Sequence, residues 1–294
     1  MSRQSSRAPA HRSRDDRALA PGLYVTATPI GNSADITLRA LEILAKADLV
    51  LCEDTRVTAK LLALHGIAAR TAPYHDHNAA KVRPEILAKL EAGARIALVS
   101  DAGTPTIADP GYKLIREAVA RGIPVTAAPG PSAVITALTL AGLPTDRFMF
   151  AGFAPPKQAA RRAWLKDLAK VDATLVFYES PKRLAEALGD AKLILGDRAA
   201  AVTRELTKLY EEIRRAPLSE LSVHYAEAGA PKGEIVVIVG PPDGAGGEAV
   251  DLNAALRAAL ETKSLKEAVA KVAAETGLPR REVYARALAL KPRT

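Results

Sequence analysis

From Leu23 onward the chain alternates short apolar runs with amphipathic stretches, and this alternation limits the possible folds more than any other feature. The runs cover residues 23–28, 48–52, 95–100 and 124–128. Between them Leu38, Leu41, Ile43 and Leu44 recur at helix spacing. Ile86, Leu87 and Leu90 do the same after Pro84, a residue that suits the first turn of a helix. Strand and helix in turn predict a mostly parallel sheet covered on both faces, in a doubly wound domain.

A helix over 132–140 ends at Gly142, and Leu143-Pro144-Thr145-Asp146 breaks the pattern, which places a boundary there. A second α/β half follows, with strands expected over 148–153, 173–178, 199–203 and 234–239. Residues 211–215 between the last two hint at antiparallel pairing and a mixed sheet. The Pro-Gly-rich stretch from Pro241 to Gly247 is a linker. Ser264 with Glu267 forms a capping box that opens the second of three helical patterns. Thr276-Gly277-Leu278-Pro279 turns the chain into the last, which carries Arg280, Arg281 and Arg286 with helix-turn-helix spacing. The expected layout is a disordered basic arm over 1–20, α/β domains over 21–144 and 145–241, a linker over 242–249 and a helical appendage over 250–294.

Charge is concentrated at the ends. The total is +8. Residues 1–20 hold five arginines against Asp15 and Asp16, and residues 250–294 hold nine Lys and Arg against five Asp and Glu, so the middle is nearly neutral. Basic ends suit a polyanion, commonly nucleic acid, and equally a solubilising tail. No apolar stretch approaches the roughly 18 residues of a membrane span, so the expectation is a soluble, cytoplasmic protein without membrane contact. The arm has no apolar segment of a secretory signal, and its composition leaves a transit peptide open. The single cysteine, Cys52, lies in an apolar run and reads as a small buried hydrophobe in a reducing compartment.

Chemistry gathers where strands end. No phosphate loop and no Gly-x-Gly-x-x-Gly follows the first strand, which runs instead into Thr28-Pro29-Ile30-Gly31-Asn32. Proline lacks an N–H, so this loop is a poor pyrophosphate cradle and better suits an uncharged or cationic ligand. Ser100 to Pro105, followed by Asp109-Pro110-Gly111, stands beyond the fourth strand, the usual ligand position in open α/β sheets. Pro129-Gly130-Pro131-Ser132-Ala133 makes a second small-residue turn into a helix. A pair of turns capped for local reasons alone leaves the Thr-Pro and Asp-Pro-Gly steps unexplained. Tyr74-His75-Asp76-His77-Asn78 offers His-x-His, but with no third His or Cys at ligand spacing it reads as a polar loop, with no metal expected. His65 suits a helix C-terminus, and His224 a structural role in a helix. In the second half, Phe177 to Pro181 and Arg204 to Lys208 follow strands and set charged groups at their ends.

Taken together, these loops, with Glu53-Asp54-Thr55-Arg56 and Lys232-Gly233-Glu234, resemble the class III, tetrapyrrole-methylase-like S-adenosylmethionine (SAM) methyltransferases over residues 23–240. Within that family the chain is most similar to the branch that methylates the ribose 2′-hydroxyl of a decoding-centre cytidine, cytidine 1402 in the usual numbering, of 16S ribosomal RNA. The resemblance implies two α/β domains with a SAM cleft between them, a helix-turn-helix-like C-terminal appendage, a homodimer, and 16S rRNA in the small ribosomal subunit as partner. Carried over position by position, it implies SAM contacts at Pro29, Ile30, Asp101, Ala102, Gly103, Thr104, Ile107, Ser132, Ala133, Tyr178, Glu179, Leu206 and Gly233. The Thr-Pro-Ile-Gly-Asn loop stands where tetrapyrrole methylases carry Gly-x-Gly-x-Gly-Asp, a departure that weighs against a porphyrinoid substrate.

For the chemistry the candidates are Glu205 as acceptor for the hydroxyl proton, with Arg204 and Lys208 holding RNA phosphate or lowering the hydroxyl pKa. His77 and Asp54 are weaker candidates. The same three residues read equally well as an ion-pair brace between strands. Two other functions stand beside this one: a small-molecule tetrapyrrole-type methylase, and a non-enzymatic RNA-binding or assembly factor. A nicotinamide dehydrogenase lacks its glycine fingerprint.

Overall fold

The computed structural model describes residues 19–242, 252–276 and 280–290. The basic arm up to residue 18, most of the expected linker and the Gly277-Leu278-Pro279 turn lie outside them. Contacts divide the chain into two compact units. The first holds residues up to 140 with 203–213 and 233–236, and the second holds 141–202, 214–232 and the residues from 237 on.

The first unit's elements run β1 (Gly22–Thr26), α1 (Leu38–Lys46), β2 (Leu49–Cys52), α2 (Thr55–Leu64), β3 (Thr71–Pro73), α3 (Asp76–Glu91), β4 (Arg95–Leu98), α4 (Tyr112–Ala120), β5 (Val125–Ala128) and α5 (Ala133–Ala141). The sheet order is β3-β2-β4-β1-β5, with parallel pairing. Successive side chains alternate, so the three central strands β2, β4 and β1 bury both faces, while the edge strands β3 and β5 are partly exposed. Leu23, Leu51, Ile96 and Leu98 pack with Leu87 of α3 and Leu114 of α4, while Tyr24, Val50, Ala97 and Val99 pack with Ile43 of α1 and Leu62 of α2. Cys52 is fully buried and burial pushes its thiol pKa up, as suits a packed hydrophobe.

One helix departs from expectation. α3 begins at Asp76, so Pro84 stands in its interior, and the His75–Asn78 segment is a helix start, not a loop. The Asn78 side chain accepts from the His75 N–H at 2.9 Å and donates to the Pro73 carbonyl at 2.9 Å, which fixes the entry. The missing proline N–H leaves the carbonyl of Ala80 without its helical donor, and both residues are exposed, where that carbonyl is open to solvent. An ion pair of 2.8 Å from Arg83 to Glu117 ties this helix to α4.

In the second half come β6 (Phe148–Phe153), α6 (Gln158–Leu168), β7 (Thr174–Glu179), α7 (Leu184–Leu195), β8 (Ala199–Arg204), β9 (Glu212–Pro217), α8 (Leu218–Ala228) and β10 (Ile235–Val239). Their sheet order is β6-β7-β10-β8-β9, with β6 and β7 parallel. The Gly240 N–H donates to Ala199 and the Glu205 N–H to Glu234, so β8 and β10 run antiparallel and the sheet is mixed. The seven residues between β8 and its neighbour β9 are too few for a parallel crossover. α9 (Leu252–Thr262), α10 (Leu265–Thr276) and α11 (Arg280–Leu290) share a small core of Leu256, Val272 and Val283. The Ser264–Glu267 capping box is formed, at 3.1 and 3.4 Å. No described helix is long and apolar enough to cross a membrane.

Arg161, fully buried on α6, pairs with the equally buried Asp190 of α7 at 2.7 Å. Arg161→Ala strands that carboxylate and is expected to cost about 3–5 kcal/mol, nearer the smaller figure because Arg162 still pairs with Asp190 at 2.7 Å. A urea titration checks this; an unchanged midpoint contradicts it.

Candidate functional site

The ends of β1 and β4 are stitched together. Thr28 and Gly103 exchange backbone hydrogen bonds of 2.9 and 3.1 Å, and the Thr28 hydroxyl donates to the Ser100 carbonyl at 3.0 Å. The Thr104 hydroxyl donates to Pro131, so the third turn, ahead of Ser132 and Ala133 at the start of α5, joins the same assembly. Gly103 holds φ at +84° with Ile30 against it, a conformation that favours glycine over residues with a Cβ. Downstream, Thr106 and Ala108 also take positive φ, at 74° and 62°, flanking half-exposed Ile107.

This assembly opens onto a cavity of about 340 Å³, within the range of small-molecule pockets. Pro29, Ile30, Gly31, Ser100, Asp101 and Ala102 form one wall, Val57, Leu61 and Leu64 of α2 an apolar second, and Lys60, Lys208 and Glu234 add charge. The Asp101 carboxylate accepts from the Asp54 N–H at 2.9 Å, which sets its position at the entry of α2.

Behind Asp101 lies Asp109, whose pKa is pushed up to about 6 by burial first, then by the charges of Glu53 and Asp101, against a lowering hydrogen bond from Ser100. A carboxyl with a raised folded-state pKa favours folding while protonated and loses that contribution as pH rises through the folded value. Asp109→Asn is therefore expected to gain thermal stability over the wild type progressively between about pH 4 and 6 and to hold the gain above it. Melting temperatures across that range check this; a constant difference contradicts it.

The Arg204–Lys208 segment lies in the same unit. Glu205 accepts from the Lys208 ammonium at 2.8 Å and from the Glu234 N–H at 3.0 Å, and Lys208 also reaches the Glu234 carboxylate at 3.0 Å. The Lys208 hydrogen bond holds the Glu205 carboxyl below the usual range despite its burial. Burial pushes Lys208 down, but its bonds to Glu205 and Glu234 outweigh that and keep it above the ordinary lysine value. Arg204 stands apart from this pair, on Glu212 at 2.9 Å. Glu205 and Thr207 both hold positive φ, at 50° and 65°, conformations that cost non-glycine residues on the order of 1–3 kcal/mol each and persist only where neighbours enforce them. The neighbours are close: the Asn32 N–H donates to the Thr207 hydroxyl at 3.0 Å, Leu206 and Lys208 crowd Gly31, and Gly233 leaves Glu205 the room a Cβ would fill.

Of the sequence-predicted contacts, the first unit gathers Pro29, Ile30, Asp101 and Ala102 on the cavity wall. Gly103, Thr104, Ser132, Ala133, Leu206 and Gly233 lie in the loops that shape it. Tyr178 and Glu179 end β7 in the second unit. There Glu179 is buried, accepts from Arg183 at 2.9 Å, and leaves Oε2 without a hydrogen-bond partner. His77 is exposed on α3, and Asp54 caps α2 and pairs with Arg56 at 2.6 Å. Val57, Lys60, Leu61 and Leu64 were not anticipated, and Glu234 was named only as part of the Lys232-Gly233-Glu234 loop. Val57, Leu61 and Leu64 repeat at helix spacing beside the core positions Thr58 and Leu62, a second apolar stripe that was the available signal.

An apolar cavity with a fixed carboxylate suits a ligand with an apolar body, hydroxyl or amine donors and a positive charge, and SAM has all of these. Residues 22–222 match the family described as Tetrapyrrole (Corrin/Porphyrin) Methylases, and residues 246–291 match the RsmI C-terminal HTH domain. The Ribosomal RNA small subunit methyltransferase I of Mesorhizobium japonicum is 51% identical over 94% of each chain. That of Erythrobacter litoralis is 53% identical over 93% of this chain and 96% of its own. In fold the chain is similar to uroporphyrin-III-C-methyltransferase from Thermus thermophilus (TM-score 0.53, 22% identity, 75% of this chain and 94% of the other). Diphthine synthase is also similar (TM-score 0.57, 17% identity, 74% and 89%). The chain belongs to the tetrapyrrole methylase family and is a SAM-dependent methyltransferase.

Proposed function

We propose that this enzyme methylates the ribose 2′-hydroxyl of a decoding-centre cytidine in 16S rRNA, with the small ribosomal subunit as substrate and a homodimer as the working form. The observation that carries the reading is similarity to small-subunit rRNA methyltransferases over nearly the whole of both chains, with Asp101, Lys60 and Lys208 around one cavity. Its two cations suit an RNA phosphate, and its first loop lacks the glycine-rich sequence of tetrapyrrole methylases.

Bound SAM supplies an electrophilic methyl group on a sulfonium centre. Pro29, Ile30 and the α2 stripe exclude water around it, Asp101 meets its donors and favours its positive charge, and Gly103 gives it access to backbone. Lys208 lowers the pKa of the attacking hydroxyl or holds the adjoining phosphate. Glu205 fixes Lys208 in place and stands ready to take the proton once Lys208 turns to the RNA. Positioning of this kind supplies on the order of 7–11 kcal/mol of rate enhancement.

In this reading the basic C-terminal helices engage the ribosomal substrate. Removing residues 250–294 is expected to raise the KM for small subunits about tenfold and to flatten its dependence on salt, with kcat preserved. Steady-state kinetics at several salt concentrations check this; an unchanged KM and slope contradict it. SAM-dependent labelling of unmethylated small subunits tests the activity itself.

A further inference from the structure

The tip of the β8–β9 turn carries two consecutive apolar side chains into solvent: Leu209 is 87% and Tyr210 69% exposed. Single exposed apolar residues are ordinary, but these stand on a segment built at a cost. Two non-glycine residues at positive φ shape the turn. The Thr207 N–H donates to the Glu211 carboxylate at 2.6 Å, and backbone bonds join Lys208 to Glu205 and Glu211 to Lys208. Both acids that follow the ring are engaged inward, Glu211 on Thr207 and Glu212 on Arg204. The tip is held in one shape, and that shape presents an aromatic ring.

The ring itself is uncommitted. Among the described residues Tyr210 has no hydrogen bond and no ring contact, whereas the similarly exposed Tyr112 has its face over Arg116. Tyr210 also follows Lys208 by two residues, within about 7 Å along the chain, and Lys208 and Lys60, which line the neighbouring cavity together with Asp101 and Glu234, are cations that can meet a phosphate. An exposed planar ring beside cations is the arrangement that binds single-stranded nucleic acid, where bases stack on aromatics and phosphates meet lysine. Aromatics make up only 4% of the chain, and stacking one base takes one ring.

We infer that Tyr210 is a base-stacking contact for the substrate strand, next to the phosphate held by Lys208. This rests on the rRNA reading above and adds a positioning residue to it. The ring holds a base out of the RNA stack, and the ribose attached to it or its neighbour is thereby presented at the cavity mouth. Stacking is insensitive to salt, unlike a phosphate contact, and this separates the two residues.

The test measures equilibrium binding of unmethylated small subunits to the full-length protein at several salt concentrations, with methyl transfer by the wild type as a parallel arm. Tyr210→Ala is expected to weaken binding about 5- to 100-fold without changing the salt slope, and Tyr210→Trp to restore it. Lys208→Ala lowers the slope by about one. SAM affinity, melting temperature and sedimentation of the free Tyr210→Ala protein stay at wild-type values. Unaltered subunit binding by Tyr210→Ala overturns the inference. So does a change in sedimentation, which assigns the ring to contact between copies of the chain, and so does a loss of SAM affinity or stability, which assigns it to the packing of the tip. If the wild type transfers no methyl group to RNA, the rRNA methylation reading fails, while the binding arm still decides the stacking contact.

Discussion

Asp101→Ala is expected to weaken SAM binding by about 5- to 150-fold, the consequence of losing a charge-assisted partner in a partly buried site. Two effects combine in that figure. The carboxylate faces the cavity and favours a cationic ligand, and it accepts the Asp54 N–H at 2.9 Å, which holds the entry of α2 and with it the wall of Val57, Leu61 and Leu64. Asp101→Asn separates the two, since an amide oxygen still accepts that N–H but carries no charge. Calorimetric titration with SAM and with its neutral demethylated product is the measurement. The Asn variant is expected to lose affinity for the cationic donor and to keep most of its affinity for the product. Wild-type affinity for SAM in Asp101→Ala removes this carboxylate from the donor site.

The second large effect is at Lys208. Lys208→Ala is expected to reduce kcat by about 10²- to 10³-fold, the usual loss when one preorganised donor at a reacting centre is removed. Binding of SAM is expected to persist. Glu205→Ala is likewise expected to abolish transfer with SAM binding intact. Because the Glu205 carboxylate is hydrogen-bonded to Lys208 and held low in pKa by it, the two losses should overlap. The double variant is therefore expected to be little worse than the more damaging of the two single variants, a non-additivity that marks residues acting as one unit. Fully additive losses show that Glu205 contributes to the reaction independently of Lys208. A near-normal rate in either single variant removes that residue from the chemistry.

Much of this was legible in the sequence because its signals are periodic or punctuated. β1, β2 and β4 stood out as apolar runs because both of their faces are buried, and β5, an edge strand with Thr126 and Ala127 exposed, stood out by its small apolar residues alone. β3 did not, since three residues, half-covered Thr71 and Ala72 and exposed Pro73, carry no run and no alternation. Pro84 was read as a helix start because proline is commonest there, and only the exposed position of the ring on α3 shows how an interior place is tolerated. The loops of the site were marked by Pro, Gly and Asp at the ends of strands. What could not be read was the third dimension of the same site. The apolar stripe on α2 looks like core until Leu62 is seen to fill that place, with Leu61 at the core's edge and Val57 and Leu64 exposed on the cavity. The engagement of Lys208 by two carboxylates, one just past the end of β8 and one just before its antiparallel partner β10, follows from register, which no local pattern encodes. Tyr210 lay unremarked in a charged segment, and only its exposure gives it meaning.

The charge that began as a property of the whole chain also acquires a location. The nearly neutral middle holds a pocket in which Lys60 and Lys208 are matched by Asp101 and Glu234, and the excess lies at the two ends.

The most direct test of the rRNA reading incubates the wild-type protein with SAM and small ribosomal subunits lacking the modification, then maps ribose methylation by resistance of the RNA backbone to alkaline cleavage. The account predicts one resistant linkage, at a cytidine of the decoding centre, that appears only with enzyme and SAM together. Methylation of a base, labelling scattered along the RNA, or no transfer to RNA by a protein that binds SAM contradicts it.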